Sequence, residues 1–279
     1  MELVTVGIPV YNSVNTIEKT LKCILEQTHA NLEVIISDNN SNDGTSDICE
    51  AYAKRDRRIR YVKQEKNIGM NANFKYVLQE AAGEFFTWNA ADDQRSLDFI
   101  KINVNFLRKN KDFIASTSPN FFEGEEETKE KWVAFDIQGL EAERILKFFE
   151  ICWSSHGLFY SVMQTKYAKE FKLFDRSFLG LDWAFNIYLL KKGNIRNLRK
   201  GYICLGKEGL SMSRNPWKPF RNKLIHWILP LYDLSIYAFK LIENESLRSK
   251  FQLLKKIFSL NMICFYGQLR TELRVLLKT

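Results

Sequence analysis

The first hundred residues alternate short, β-rich apolar runs with longer amphipathic segments, and this rhythm constrains the fold more than any other feature. The short runs have the length and residue types of strands, whereas the segments between them repeat apolar residues at helical spacing. The predicted strands are Leu3–Pro9, Leu32–Ser37, Ile59–Gln64 and Phe85–Trp88, and the predicted helices are 15–27, Thr45–Arg55 and 71–82. This alternation predicts an α/β fold with a mostly parallel central sheet and helices on both faces.

Polar residues follow each of the predicted strands. They are Tyr11-Asn12, Asp38–Asp43, Asn67–Asn73 and Asp92-Asp93. In a parallel sheet the carboxyl ends of the strands lie at one edge, where ligands bind. The sequence therefore predicts that these four clusters meet in one ligand site.

Two adjacent carboxylates, Asp92 and Asp93, follow the fourth predicted strand. Neighbouring carboxylates are costly to bury unless a cation or hydrogen-bond donors neutralise them. Hard oxygen ligands suit Mg²⁺ or Mn²⁺, which are usually shared with substrate phosphates. The structural alternative is a helix N-cap, because a helix is predicted to begin near Ser96.

Asp38 and Asp43 lie in the turn-rich segment after the second predicted strand. Asp38 precedes the turn itself, where a carboxylate can accept a hydrogen bond from a nucleobase N–H or a ribose hydroxyl. Asp43, followed by Thr45, suits an Asx-turn that caps the next helix. We therefore expect Asp38 to bind a ligand and Asp43 to have a structural role.

Several motifs in register resemble those of family-2 nucleotide-sugar glycosyltransferases, which have the GT-A (Rossmann-like) fold. The matching segments are Val6–Asn12, Gln27-Thr28, Asp38–Thr45, Asn67–Gly69 and Asp92-Asp93. The resemblance covers residues 1–215 and is strongest over the first hundred. It implies a bacterial enzyme of polysaccharide or glycolipid biosynthesis. Such an enzyme moves a hexose from a nucleotide-diphosphate donor, here expected to be UDP-linked, onto a glycan or lipid-linked saccharide, with inversion and a divalent metal ion.

The resemblance also implies which residues bind the nucleotide sugar. Pro9, Tyr11 and Asn12 would line the nucleobase pocket. Asp38 would accept a hydrogen bond from the base, and Asn67 belongs to the same nucleotide-sugar-binding set.

Asp92 and Asp93 would take the place of the family's Asp-x-Asp element. One of them would hold the Mg²⁺ or Mn²⁺ ion that bridges the diphosphate, with Asp93 favoured, and the other would contact ribose or sugar hydroxyls. The sequence departs from the usual pattern here, because Ala90 or Ala91 replaces the first acidic residue.

On the acceptor side, Phe178–Trp183 resembles the family's late acidic motif. Asp182 would then be the general base, which takes the proton of the acceptor hydroxyl as that oxygen attacks the sugar carbon. An N-cap for helix 183–192 is the structural alternative, and it is compatible with catalysis. Leu181 stands where many relatives carry Glu.

Two basic side chains in the second half have a weaker connection to the chemistry. His156 lies in a segment that resembles the acceptor-side loop, and a structural role is favoured for it. Lys207, in the loop 206–213, stands where a histidine is expected, and a solvated lysine is the favoured interpretation. The missing first Asp and Leu181 leave one alternative function, a catalytically idle nucleotide-sugar-binding or scaffold protein.

The net charge of +8 lies entirely in the last 66 residues. Residues 1–213 carry 29 Lys+Arg and 29 Asp+Glu, whereas residues 214–279 carry 12 and 4. This distribution disfavours a uniformly basic nucleic-acid-binding protein. We predict a catalytic domain over 1–215, with a nucleotide-sugar half (1–100) and an acceptor half (101–215), followed by a basic, aromatic-rich helical extension over 216–279.

Basic residues beside Trp and Phe on amphipathic helices favour the headgroup region of an anionic membrane surface. A helical cap or a homodimer interface is the alternative for this extension. The five cysteines show no metal-ligand spacing, no signal peptide is visible, and no run of 18 residues is uncharged and strongly apolar. We therefore expect a cytoplasmic protein, peripheral on the inner face of the membrane. The chain also has no P-loop or Gly-x-Gly-x-x-Gly motif, which disfavours NTPases and dinucleotide oxidoreductases.

Overall fold

The computed structural model describes residues 2–128, 132–208 and 215–277. Its strands are β1 (Val4–Val10), β2 (Leu32–Asp38), β3 (Ile59–Lys63), β4 (Phe85–Trp88), β5 (Gln94–Arg95), β6 (Phe113–Thr117), β7 (Asn120–Phe122), β8 (Val162–Gln164), β9 (Asn194–Asn197) and β10 (Ile203–Leu205). Its helices are α1 (Ile17–Leu25), α2 (Thr45–Arg55), α3 (Met70–Gln79), α4 (Phe99–Lys109), α5 (Glu141–Ile151), α6 (His156–Phe159), α7 (Thr165–Lys169), α8 (Leu181–Lys192), α9 (Ile225–Ile228), α10 (Tyr232–Leu241) and α11 (Leu247–Leu276).

The central sheet has seven strands in the order β3-β2-β1-β4-β8-β6-β9. Strands β1 to β4 pair in parallel, as do β6 and β9, whereas β8 runs antiparallel between β4 and β6. In the register of the first three strands, Val10 lies opposite Asp38 and Asp38 lies opposite Lys63. The carboxyl ends of these strands are therefore level, and the loops that follow them share one edge. A second sheet of three short strands, β5-β10-β7, lies beside it.

Alternate residues of the strands face two different hydrophobic clusters. Val34 and Ile36 belong to the cluster that contains residues of α1 and α4, whereas Ile35 between them belongs to the cluster that contains residues of α3, α5 and α8. This is the two-residue period of a strand that is buried on both faces. The predicted α/β fold with a mostly parallel sheet and helices on both faces is confirmed.

One helix is shorter than the sequence predicts. The pattern over 164–174 indicates a single helix, but α7 ends at Lys169 and a 3-10 turn follows over Leu173–Asp175. By leaving the helix, the chain brings Phe171 to 5.3 Å from the Phe185 ring of α8. Packing against α8 therefore outweighs the local helical pattern.

The C-terminal helical extension is present and packs on the body of the protein. Leu234 and Ala238 of α10 and Leu253 and Ile257 of α11 belong to the same buried cluster as α5 and α8. This apolar contact joins the extension to the face of the sheet that carries the acceptor-side helices.

Candidate active site

The loops after β1 and β2 are joined by hydrogen bonds. Asn12 Oδ1 accepts from the Asn42 backbone N–H at 3.0 Å, and the Asn12 N–H donates to Ser41 Oγ at 2.9 Å. Asn12 has a φ of 48°, a left-handed conformation that asparagine tolerates better than most residues. Asn12 therefore lies at the edge of the sheet, as predicted, and its side chain fixes the loop after β2.

The loop after β3 joins the other two through Asn39, a residue that the sequence analysis did not single out. Asn39 Nδ2 donates to Asn67 Oδ1 at 3.0 Å, and Asn39 Oδ1 accepts from the Ile68 N–H at 2.8 Å. Asn67 itself is exposed. Three of the four predicted polar clusters thus meet at one edge of the sheet.

The three other predicted nucleotide-binding residues differ in exposure. Tyr11 is 47% exposed at the end of β1, where its ring can reach a ligand. Pro9 is buried within β1, opposite Ser37 of β2. Asp38 is fully buried at the end of β2.

The Asp38 carboxylate is held by protein donors. Oδ1 accepts from the Ser41 N–H at 2.8 Å, and Oδ2 accepts from Ser46 Oγ at 2.6 Å and Tyr61 Oη at 2.9 Å. Burial by itself raises the pKa of this carboxyl group, but the donors outweigh it and the pKa is lowered. Asp38 is therefore ionised and supports the turn, while Asp43 has the expected Asx contact with the Thr45 N–H at 3.0 Å.

Asp92 and Asp93 lie under the loop that follows β10. Asp93 Oδ1 accepts from the Gly206 N–H at 2.9 Å, and Asp92 Oδ2 accepts from the Glu208 N–H at 3.1 Å. Gly206 allows this approach, because a Cβ at this position would collide with the Asp92 carboxylate. Helix α4 begins only at Phe99, after an N-cap at Asp98, so neither carboxylate caps it. The N-cap interpretation is therefore wrong.

The second oxygen of Asp93 has no hydrogen-bond partner among the residues that the structure describes. Asp93 is 3% exposed, and Oδ2 is buried without a hydrogen bond within the described chain. Burial, and then the neighbouring charge of Asp92, raise the pKa of Asp93 to about 7. The Asp92 charge thus raises the pKa of Asp93, and one Asp93 oxygen has no hydrogen bond within the described chain. A divalent cation bound to this donor set would offset the negative charge.

No group of three His, Cys, Asp or Glu side chains arranged for a metal ion occurs among the residues that the structure describes. A Mg²⁺ or Mn²⁺ ion at Asp92-Asp93 would thus have one or two protein ligands and take the others from diphosphate oxygens and water, which is common for Mg²⁺. The residues present fit that arrangement.

A buried arginine, also not anticipated from the sequence, fixes the segment that carries the two carboxylates. The Arg95 guanidinium donates to Asn89 Oδ1 at 2.6 Å, to Thr87 Oγ1 at 2.9 Å and to the Trp88 carbonyl. Burial lowers its pKa to about 10, and the Asp93 charge partly offsets this. Arg95 thus holds the end of β4 and supplies positive charge near Asp93.

The half-buried Tyr160, which follows α6, connects the two acidic parts of the site. Burial raises its pKa well above the ordinary value, and the charges of Asp93, Asp92 and Asp182 raise it further. The charges of carboxylates from two distant segments therefore act on the same phenol.

Asp182 lies in the first turn of α8, which begins at Leu181 after Gly180 as N-cap. It therefore does not cap the helix, and the N-cap interpretation is wrong here too. Asp182 is exposed to solvent, yet desolvation by the surrounding protein raises the pKa of its carboxyl group. A carboxylate with a raised pKa that water can reach has the properties of a general base.

Two tryptophans stand beside Asp182. Trp183 follows it in α8, and the ring of Trp153 lies 5.0 Å from that of Trp183 at an angle of 85°. Trp153 is 47% exposed, which is unusual for so large an apolar ring. An open aromatic surface next to a carboxylate is suited to the apolar face of a sugar ring.

The surroundings of His156 and Lys207 are compatible with the structural role predicted for His156 and the solvated lysine predicted for Lys207. His156 begins α6, and its ring contacts that of Phe122 edge-on at 5.4 Å. Lys207 is exposed in the loop that covers Asp92 and Asp93. The rest of that loop, 209–214, lies outside the described residues.

Comparison with known proteins places the chain among sugar transferases. A family model described as glycosyl transferase family 2 matches residues 5–168, more than half of the chain.

Among similar proteins, the GalNAc(5)-diNAcBac-PP-undecaprenol beta-1,3-glucosyltransferase of Campylobacter jejuni is 28% identical over 100% of this chain and 87% of its own length. The putative teichuronic acid biosynthesis glycosyltransferase TuaG of Bacillus subtilis is 36% identical over 38% of this chain and 42% of its own. The glycosyltransferase GlyA of Streptococcus pneumoniae is 34% identical over 35% of this chain, and the match spans only 14% of that protein.

Two solved structures share the fold at low sequence identity. TarS 1–349 of S. aureus in complex with UDP-GlcNAc has a TM-score of 0.58 and 18% identity, covering 92% of this chain and 79% of that one. The mannosyltransferase PcManGT of Pyrobaculum calidifontis, in complex with GDP-Man and Mn²⁺, has a TM-score of 0.56 and 16% identity, covering 96% and 84%.

Proposed function

This chain belongs to glycosyl transferase family 2 and is a glycosyltransferase with the GT-A fold, and we propose that it moves a hexose from a UDP-linked donor onto a lipid-linked saccharide with inversion. The observation that carries the proposal is the electrostatic influence of three carboxylates, from two distant segments, on one tyrosine. Asp92, Asp93 and Asp182 all act on the phenol of Tyr160. On this proposal Asp92 and Asp93 are the metal-binding donor set and Asp182 is the base.

The donor would lie against the joined loops at the carboxyl edge of the sheet. We assign the base and ribose to the loops that carry Tyr11, Asn12 and Asn67, which fix one another by hydrogen bonds and so present a preformed surface. Asp38 is assigned to the same site. Because protein donors already hold its carboxylate, it would act by keeping the turn in place as much as by contacting the base.

The leaving diphosphate would lie at Asp92-Asp93. A bound Mg²⁺ or Mn²⁺ there would stabilise the negative charge that develops on the leaving group. The Gly206 and Glu208 N–H groups hold the two carboxylates in place, and Arg95 fixes the end of β4 that precedes them. Asp93 is favoured as the ligand of the ion, because its Oδ2 has no hydrogen-bond partner among the described residues.

Asp182 would remove the proton of the acceptor hydroxyl. That oxygen attacks the sugar carbon on the face opposite the departing UDP, so the new bond forms as the old one breaks and the configuration inverts. No covalent intermediate with the protein is required, and the acceptor ring would rest on Trp153 and Trp183 beside the base.

The lipid-linked acceptor is proposed from the relative that aligns with the whole chain, whose name contains an undecaprenol-linked saccharide. An acceptor of that kind lies at a membrane surface. We therefore place the protein in the cytoplasm, peripheral on the inner face of the membrane, with the extension 216–279 as the part that meets it.

UDP release tests this proposal. The chain, supplied with Mn²⁺ and a panel of UDP-hexoses, is expected to release UDP from at least one donor, slowly with water and faster with a lipid-linked saccharide. UDP binding by calorimetry without turnover on any acceptor would instead support the catalytically idle binding protein.

A further inference from the structure

Helix α11 carries an apolar stripe that the described chain leaves open to solvent. The stripe residues recur mostly three or four positions apart, as the side chains on one face of a helix do. They are Leu247, Phe251, Leu254, Phe258, Tyr266, Leu269, Leu273 and, just after the helix, Leu277, each 45–85% exposed. The helix has 30 residues and is therefore about 45 Å long.

The fold does not use this stripe for its own packing. A different face of α11, with Leu253, Ile257, Leu260 and Cys264, is buried against the body of the protein. Soluble proteins rarely expose so long an apolar surface, and such a surface marks a contact with a partner or a membrane.

The charges of α11 indicate what the partner is. The helix carries six basic residues, Arg248, Lys250, Lys255, Lys256, Arg270 and Arg274. Its one acidic residue, Glu272, is paired with Arg221 at 2.6 Å. Lys255 Nζ lies 4.6 Å from the centre of the Phe251 ring in the stripe, so cationic and apolar groups share one surface.

This combination distinguishes a membrane from a second copy of the chain. Two copies that met through the stripe would bring two basic helices together, which repel. An anionic lipid surface complements the same charges while its acyl region accepts the Phe and Leu side chains.

We propose that α11 lies flat in the headgroup region of an anionic lipid bilayer, with its stripe of Leu, Phe and Tyr side chains turned into the membrane. No helix among the described residues is long and apolar enough to cross a membrane. The proposal rests on the proposed function for its purpose, since it brings the enzyme to a lipid-linked acceptor, but vesicle binding itself does not depend on turnover.

The position of α11 gives this orientation a consequence for the acceptor. Lys256 Nζ of α11 lies 2.8 Å from the Glu150 carboxylate of α5, and α5 ends two residues before Trp153. Helix α11 is therefore joined to the segment that leads to Trp153, where we place the acceptor, and this orientation would bring the membrane to the acceptor side of the site.

Sedimentation of the full chain with lipid vesicles tests the proposal. The wild type is expected to bind phosphatidylcholine vesicles that contain phosphatidylglycerol, and to bind pure phosphatidylcholine vesicles much less. Phe251→Gln with Phe258→Gln keeps good helix formers and is expected to weaken binding by about tenfold or more. Lys255→Gln with Arg270→Gln is expected to weaken binding to the anionic vesicles by about 25-fold, because each cation near the surface contributes about fivefold.

Leu97→Gln with Leu140→Gln is the matched control, since both leucines are exposed outside α11. This control should bind vesicles as the wild type does, and all variants should keep the wild-type Tm. Wild-type protein that fails to sediment with anionic vesicles overturns the proposal. A wild-type dimer that becomes monomeric in the Phe251/Phe258 variant, without vesicle binding, assigns the stripe to a second copy and also overturns it. Failure of the proposed function is read separately, from UDP release.

Discussion

Asp93→Asn is expected to stabilise the metal-free fold at alkaline pH and to abolish its response to Mn²⁺. Asp93 Oδ1 accepts from the Gly206 N–H at 2.9 Å, and the asparagine oxygen can keep that bond. Oδ2 is buried without a partner among the described residues, so the Gly206 N–H and the Arg95 charge compensate the ionised carboxylate only in part in the absence of a cation. The substitution removes this charge and keeps the shape of the side chain.

The magnitude follows from the pKa, which burial and the Asp92 charge raise from 3.8 to about 7. A raised pKa favours the protonated form in the folded state. The contribution of Asp93 to the free energy of unfolding is therefore complete below about pH 4. As the pH rises to 7 this contribution is lost, which lowers the free energy of unfolding by about 4 kcal/mol. The unpaired asparagine amide costs about 2 kcal/mol. The net gain above pH 7 is about 2 kcal/mol, or roughly 3 °C in Tm for a chain of this length.

Thermal unfolding in EDTA between about pH 5 and pH 8 measures this difference. The Tm of Asp93→Asn should rise above that of the wild type as the pH increases, whereas Mn²⁺ should then raise the Tm of the wild type alone. Asp98→Asn is the matched control, since Asp98 is exposed nearby, and it should show no such trend. A variant that is less stable than the wild type at pH 8, or a difference independent of pH, would refute the assignment of a partly uncompensated charge to Asp93.

Three further expectations follow from the packing and from the acceptor side of the site. Gly83→Ala should lower the free energy of unfolding by about 2 kcal/mol or more in urea titration, because a Cβ there would lie 2.7–2.8 Å from three backbone atoms; an unchanged midpoint would contradict that geometry. Trp153→Ala should raise the KM for the acceptor and change the KM for the donor little. The control, Trp227→Ala, removes a ring of similar exposure in α9 and should leave both KM values unchanged when vesicle lipid is saturating. In the pH profile of kcat, the pKa of the acidic limb should lie above the ordinary aspartate range, because burial raises the pKa of Asp182 and the base must be ionised. An acidic limb with a pKa at or below 3.8 would exclude Asp182 as its source.

The sequence predicted the first half of the fold well because its elements are long and periodic. The bounds of α2 and β4 agree residue for residue with the prediction, β2 and β3 differ by one residue at one end, and β1 differs by one residue at each end. Strands of two or three residues leave no period to detect. The antiparallel β8 and the small sheet of β5, β7 and β10 therefore depend on pairings between distant segments that the local pattern does not contain.

The site residues divide in the same way, into those that have a local sequence motif and those whose role depends on contacts between distant segments. Asp92, Asp93 and Asp182 were singled out from their motifs, and in the folded chain the charges of all three act on Tyr160, while their roles stay predictions. Tyr160 and Arg95 were missed because their roles arise only from contacts across the fold. Neither residue belongs to a motif, and the sequence signal for Arg95 is its position two residues after an acidic pair.

The central claim is that Asp182 is the base of a sugar transfer, and its substitution tests that claim most directly. Asp182→Asn should bind UDP with wild-type affinity in the presence of Mn²⁺ but release UDP from the donor in the presence of acceptor about 100- to 10,000-fold more slowly. Asp175→Asn, which alters an exposed acid seven residues earlier, should turn over as the wild type does. Turnover by Asp182→Asn within a few fold of the wild type would contradict the account.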